Sequence, residues 1–248
     1  MSTGPYVGAL DQGTGGTRFV VFDEQGAPVS SAFTSHNTLN RGPTRTEYDP
    51  LKLWGCATDT IRRALVRADV DPDYLRAIGV SSQRQTVLLW EADTGRPVTN
   101  ALSWQDRRTA DRIASLDPED RRLIRERTGL EPDPYFAAPN VQWLLNGGGT
   151  GTRWENRTRA PGATESAVGR RLLAVFDVLR AALPSVHASS DPEGFGETDP
   201  DGTLGAAGPV TGVVGDQQAA LSGQVGAGPR RREGGLRHRE RRSPAHRL

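Results

Sequence analysis

The stretch that most constrains this chain is Tyr6 to Asp23, YVGALDQGTGGTRFVVFD. It reads as two short apolar strands, Val7–Leu10 and Phe19–Phe22, joined by a polar, glycine-rich turn region carrying Asp11, Thr14 and Arg18. Gly13, Gly15 and Gly16 lack a Cβ, so their backbone N–H groups can come close to an anion. Thr14 and Thr17 add hydroxyl donors, Arg18 adds a permanent positive charge, and Asp11 is a carboxylate suited to a hydrated Mg²⁺. These are the parts a nucleotide-phosphate site requires. The spacing is not that of a P-loop, because G-x-x-x-x-G-K-[ST] is absent and a strand follows. Taken by itself, the stretch is equally an ordinary hairpin with a flexible turn.

The rest of the chain limits what that hairpin can belong to. At 248 residues there is length for one large domain or two small ones. A hydrophobic fraction of 35%, with 29 Gly and 17 Pro, is lean, so part of the chain is expected not to pack. No apolar run has the length of a membrane span and no secretory pattern opens the chain, which leads to the expectation of a soluble, cytoplasmic protein. A single cysteine, Cys56, excludes an internal disulfide and a Cys-based metal site. Eight of the 31 basic and two of the 30 acidic residues lie from Arg230 onward, so the basicity belongs to a tail and the remainder is acidic by five.

Strands and helices alternate through the first part. Val29–Phe33 reads as a third strand, and residues 34–48 as polar and irregular. Asp49-Pro50 announces a helix with Trp54, Ala57, Ile61 and Leu65 on one face, closed by Asp71-Pro72. Ala77–Val80 and Thr86–Trp90 read as strands flanking the polar run Ser81–Gln85. A helix is expected to lead from Ser103–Arg107 through Leu116, a second from Asp117-Pro118 to Gly129, and a third segment over Val141–Leu145. Residues 147–171 show neither a period of two nor of 3.6 and are expected to be disordered. An amphipathic helix over Leu172–Leu183, a strand at Pro209–Val214 and a helix beginning near Ala219 follow, before a basic, disordered tail over 225–248.

Five segments in this order, ALDQGTGGTR, SSQRQT, NALSWQDRRT, TGLEPDPYF and GDQQAALSGQ, together resemble the N-terminal half of the FGGY carbohydrate kinases, in particular the glycerol kinase branch. The resemblance implies an α/β domain of the ribonuclease H-like, actin/hexokinase-type ATPase fold with a mixed sheet, incomplete here. It is divided into 1–146, the aberrant 147–171, the remainder of the domain at 172–224, and the tail. It implies ATP-dependent phosphorylation of glycerol to sn-glycerol 3-phosphate, with ATP and Mg²⁺ as cofactors and glycerol or a similar polyol as partner. Thr14, Gly15, Gly16, Thr17 and Arg18 would meet the ATP phosphates, and Asp11 would position Mg²⁺. Arg84 and Gln85 would bind the polyol hydroxyls, with Trp104 an apolar wall, Tyr135 a polar contact and Gln217 a further ligand. Asp216 would take the proton from the attacking hydroxyl. Phosphoryl transfer asks mainly for positioning, charge neutralisation and a modest base, which this set supplies.

Three departures from the family pattern carry expectations of their own. Gln85 stands where the family's QRET motif has glutamate, which implies weaker polyol binding by about 1–2 kcal/mol. Segment 147–171 replaces core elements of the family domain, which implies marginal stability. The resemblance stops near Gln224, before the family's second domain, which implies impaired turnover. The alternatives are a non-catalytic kinase remnant or binding module, and a kinase for another small polyol or sugar. Taken singly, Asp216 is equally a helix N-cap, Arg84 a solvated surface charge, and Trp104 and Tyr135 core aromatics. Specific nucleic-acid binding is not expected, since the Arg tail has no interleaved aromatics. A homo-oligomer, or a separate chain supplying the missing half, remains open.

Overall fold

A computed structural model describes residues 4–40, 42–148, 158–159, 169–184, 187–192, 195–202 and 204–226. Most of the 147–171 segment and the tail beyond residue 226 lie outside the described residues, as do the disorder expectations placed on them.

The hairpin is the centre of a five-stranded sheet. β1 (Tyr6–Gln12) and β2 (Gly16–Phe22) are longer than the apolar pattern suggested and pair antiparallel, with Asp11 opposite Arg18 and Gln12 opposite Thr17. β3 (Pro28–Ser35) extends the meander on the far side of β2. β6 (Leu75–Ser82) runs parallel to β1, and β10 (Val210–Gly215) parallel to β6, giving the order β10-β6-β1-β2-β3. Three adjacent strands therefore end on the same side, at Gln12, Ser82 and Gly215.

Helix α1 (Pro50–Ala68) covers one face of this sheet. The Asp49 carboxylate accepts from the N–H groups of Leu51 and Lys52, and Pro50 occupies the first turn, as its sequence pattern predicts. Ile61, Ala64 and Leu65 pack on Phe19, Val21, Ala32 and Ile78 to form the first core. Complete burial of Phe19 and Val21 contributes about 1.5–3 kcal/mol each. Trp54 departs from the expectation and is 65% exposed. The reason is direction: Thr60 bonds to Thr34, and Arg67 reaches back to Ser31, so α1 and β3 run antiparallel and Trp54 projects past the strand end at Ser35. The helix stops at Asp69 in the left-handed region, and Asp71-Pro72 instead opens a 3-10 turn over Pro72–Tyr74.

A second core lies between the remaining helices. α3 (Pro118–Thr128) has the expected Asp117 cap and left-handed Gly129 stop. α2 is only Ala110–Ala114, because Ser103–Thr109 is held in turns by Asp106. α4 (Ala137–Leu145) begins earlier than expected. The expected Leu172–Leu183 helix is two pieces, α5 (Arg170–Val175) and a 3-10 turn over Arg180–Ala182, broken where Asp177 takes φ 45°. That break turns both Phe176 and Val178 inward against Val141 and Leu144. Thr86–Trp90 is not a continuous strand: Val87 bridges to Leu102, and a two-residue β7 (Trp90–Glu91) pairs with β9 (Thr158–Arg159). The irregular 34–48 region contributes β4 (Leu39–Asn40) and β5 (Thr46–Tyr48), which join β8 (Ala101–Leu102) in a small sheet. α6 (Asp216–Gly226) follows β10 directly.

Candidate active site

Open α/β sheets bind ligands beyond the carboxyl ends of their parallel strands, and three of the expected residues stand there. Asp11 is at the end of β1, exposed, its Oδ1 accepting from the Ser81 hydroxyl of β6 at 3.2 Å. Arg84 follows β6, and Asp216 follows β10 as the first residue of α6. The Arg84 Nε lies 3.7 Å from Asp216 Oδ1, while its Nη2 donates to Gln217 Oε1. Asp216 also accepts from the Gln217 N–H at 2.8 Å, so it braces the start of α6 and faces the guanidinium at once. The carboxylate and the arginine thus share one cluster, with the positive end of α6 beside them.

Gly215 allows this approach. A Cβ at that position would meet Arg84 Cδ at 2.6 Å and Cγ at 2.7 Å, so the arginine stem lies flat against bare backbone.

The β1–β2 turn is held from several directions. Thr17 is fully buried and donates its hydroxyl to Gln12 Oε1 at 2.9 Å. It therefore braces the turn from beneath, and the expectation that it meets phosphate directly does not fit this placement. Gly13 N–H closes the turn on Gly16 C=O at 3.0 Å, and His36 N–H donates to Gly15 C=O at 3.2 Å. Thr14 and Gly15 remain at the outer surface of the turn. Gly16 is needed for packing, since a Cβ there would meet the Phe33 ring at 2.3 Å. Arg18 is exposed and sits over the same ring, 5.8 Å from its centre, beside its cross-strand partner Asp11.

Trp104 touches the turn itself: its indole N–H donates to Thr14 Oγ1 at 2.9 Å. Tyr135 packs edge-on to Trp104 with ring centres 6.0 Å apart, and Phe136 continues the stack at 5.1 Å. Gln85 is placed differently from a free polyol ligand. It adopts φ 65°, and its Oε1 accepts from Ala137 N–H at 2.7 Å. It supplies the cap that Phe136, at the N-cap of α4, lacks. A chain of contacts therefore runs from Thr14 through Trp104 and Tyr135 to α4, back through Gln85 to Arg84, and on to Asp216.

Sequence pattern does not single out Tyr48. It is 1% exposed, donates to Thr14 C=O at 2.9 Å and lies 3.4 Å from Gln83 Oε1. Burial pushes its phenol above the ordinary range, against its side-chain hydrogen bonds with Ser103 and Gln83. The polar interior around it includes Arg108, whose guanidinium pairs with Asp106 at 2.7 Å and Glu47 at 2.6 Å and stacks on Trp143.

An apolar cavity of about 250 Å³ opens elsewhere, among Ile124, Val141, Leu172, Phe176 and Leu183, with Gln85 on its rim. Asp11, Thr14, Arg84, Trp104 and Asp216 do not line it, so it belongs to the second core. Among the described residues no group of three His, Cys, Asp or Glu could by itself hold a metal, and no helix is long and apolar enough to cross a membrane.

Comparison with known proteins places this geometry. Residues 6–149 match the N-terminal domain of the FGGY family of carbohydrate kinases. The chain is 40% identical over 263 residues to the glycerol kinase of Halobacterium salinarum, covering 90% of this chain and 52% of that protein. It is 36% identical over 256 residues to glycerol kinase 3 of Streptomyces avermitilis, covering 89% and 50%. The chain thus spans about half the length of these curated relatives. The fold superimposes on the crystal structure of Plasmodium falciparum glycerol kinase with ADP at a TM-score of 0.77, with 21% identity over 89% of this chain and 50% of that one. It also superimposes on ligand-bound xylulose kinase from Lactobacillus acidophilus at 0.72, with 17% identity over 88% and 49%. The expected actin/hexokinase-type α/β fold is the one observed, and the chain belongs to the FGGY family of carbohydrate kinases, whose N-terminal domain it carries.

Proposed function

We propose that this chain forms the polyol-binding and phosphate-turn half of an ATP-dependent glycerol kinase, transferring the terminal phosphoryl group to glycerol to give sn-glycerol 3-phosphate. The observation that carries the reading is the Arg84–Asp216 pair at 3.7 Å, set at the ends of β6 and β10 beside Asp11 at the end of β1. A small polyol offers only hydroxyls to read, and this cluster offers both kinds of partner. Arg84 donates to polyol oxygens, and Asp216 accepts the proton of the attacking hydroxyl.

The turn presents Thr14 and Gly15 toward the phosphates, with Arg18 offsetting their charge. Asp11 fits a Mg²⁺ that keeps most of its waters, since that ion binds through one or two carboxylates together with substrate phosphates. The ion would neutralise charge on the phosphates. The glycerol kinase relatives favour glycerol over a sugar as the acceptor. Phosphoryl transfer needs a cleft closed over both substrates, so turnover depends on a second half of the cleft complementary to this one.

Isothermal titration with glycerol and a coupled ADP-release assay test the reading together. Glycerol binding that is lost in Asp216→Asn is expected, and with the second half of the cleft supplied, ADP release lost in parallel. Glycerol binding unaffected by either Asp216→Asn or Arg84→Ala would remove the cluster from the site.

A further inference from the structure

Two residues outside the β1–β2 turn bond to Thr14 within it. Thr14 presents two acceptors, its backbone carbonyl and its Oγ1. The carbonyl receives the Tyr48 hydroxyl at 2.9 Å, and Oγ1 receives the Trp104 indole N–H at 2.9 Å. An indole nitrogen is a donor only, so the direction of the second bond is fixed by chemistry. With Oγ1 accepting from Trp104, the hydroxyl hydrogen of Thr14 is turned away from Trp104 and left to donate. A group held as a donor in advance is what a phosphate oxygen, which only accepts, can use without reorganisation.

The supports of this arrangement are themselves fixed. Tyr48 is buried at the end of β5, with the His36 ring edge-on at 5.5 Å. The Trp104 backbone N–H is held by Thr86 Oγ1 at 3.3 Å, and its ring is packed by Tyr135. β5 and the 103–104 segment also bond to each other, through Ser103 N–H to Thr46 C=O at 3.0 Å. The turn is thus clamped from one side by a unit built of segments 46–48 and 101–104.

We propose that Tyr48 and Trp104 are positioning residues that act through Thr14, fixing its hydroxyl as a donor to nucleotide phosphate. Trp104 thereby joins the polyol wall to the phosphate turn. The proposal rests on the reading of the turn as a phosphate site, and its test separates the two.

The test uses the whole chain with Trp104→Phe, which keeps an aromatic wall but removes the N–H, and with Thr14→Ser and Thr14→Val. Tyr48→Phe is the companion variant, though it alters a buried residue. The first readout needs no ligand: amide hydrogen exchange across residues 13–17, with α3 as internal reference. Trp104→Phe is expected to quicken exchange there by roughly three- to tenfold, the range one hydrogen bond supports, and to leave α3 unchanged. The second readout compares MgATP and glycerol affinity. Trp104→Phe and Thr14→Val are expected to weaken MgATP by roughly the same factor, and by more than they weaken glycerol, with Thr14→Ser recovering most of what Thr14→Val loses. Unchanged exchange in Trp104→Phe overturns the clamp. Equal losses of glycerol and MgATP affinity overturn the positioning role and leave Trp104 as a wall only. Quickened exchange in a chain whose parent binds glycerol but not MgATP overturns the phosphate half of the proposal and, with it, that reading of the turn.

Discussion

Arg84 lies against Gly215 with no room for a methyl group between them: the nearest arginine carbon is 2.6 Å from where a Cβ would stand. The backbone of Gly215 is not in the left-handed region, so alanine there strains only side-chain contacts, this one and the Gln218 Oε1 at 2.8 Å. Gly215→Ala is expected to lift the Arg84 stem and lengthen its 3.7 Å approach to Asp216. Glycerol affinity should fall by about 1.5–3 kcal/mol, the worth of a hydrogen bond to a charged group. Because Arg84 is partly exposed and can relocate into water, the melting temperature should move by no more than ~2 °C. Titration calorimetry paired with scanning calorimetry checks both. Unchanged affinity would mean the arginine placement is immaterial to the polyol.

Gln85 caps α4, and that role predicts an effect on stability independent of any ligand. Gln85→Ala removes the acceptor for Ala137 N–H and should cost about 1 kcal/mol, a fall of roughly 2–4 °C in a chain of this size. Gln85→Glu keeps the acceptor and places a negative charge at the helix N-terminus, worth about 0.3–1 kcal/mol in the opposite sense. The glutamate variant should therefore melt at or above the parent while the alanine variant melts below it. The same pair tests the expectation of weaker polyol binding. If Oε1 is held by Ala137, then Gln85→Glu changes glycerol affinity by less than the roughly 1–2 kcal/mol that a directly bound carboxylate implies.

What is legible in the sequence is local chemistry. Asp49-Pro50, Asp117-Pro118 and Gly129 mark helix ends because capping groups act within a few residues of the ends they serve. The hairpin and the residues at its mouth are legible for the same reason, and Asp11, Arg84 and Asp216 carry the family pattern. What is not legible depends on contacts between distant segments. Tyr48 reaches Thr14 across 34 residues, and Trp104 across 90. Thr17 reads as a ligand-facing hydroxyl, yet the strand alternation that buries Phe19 and Val21 on the α1 side buries Thr17 with them. The Leu172–Leu183 pattern scans as one helix, and only the left-handed Asp177 reveals that packing against Val141 favours two pieces.

His36 makes the turn sensitive to acid. Burial holds its imidazole below the ordinary value of 6.5, partly offset by a hydrogen bond with the Gly13 backbone. The folded state thus keeps His36 neutral, paired with Gln12 Nε2 at 2.9 Å and edge-on to Tyr48. A base whose folded pKa is depressed contributes stability that is present above the unfolded value and lost as pH falls below 6.5 toward the folded value. Asp49, Lys52 and Asp59 of the α1 side line the same groove as His36. The contribution of His36 is therefore the difference between parent and His36→Gln. The parent's melting temperature should fall more steeply from about pH 7 to about pH 5 than the variant's. Parallel curves would show that protonating His36 is not coupled to folding.

Arg108 predicts the largest loss. Its side chain is 4% exposed, between Asp106 at 0% and Glu47 at 14%, so all three charges depend on one another. Asp106 also accepts from Thr46 N–H at 2.7 Å, which ties this cluster to the strand that carries Tyr48. Arg108→Met preserves the bulk on Trp143 but leaves a carboxylate buried with backbone donors only. Breaking one side of such a cluster costs about 3–5 kcal/mol, so the melting temperature should drop on the order of 10 °C. Adding Asp106→Asn and Glu47→Gln to that variant removes the stranded charges and should recover a substantial part of the loss. The carboxamide that Asp106→Asn introduces keeps an oxygen to accept from Thr46 N–H, so the strand retains its anchor. A triple variant no more stable than Arg108→Met alone would show that packing on Trp143, and not charge balance, is what this arginine contributes.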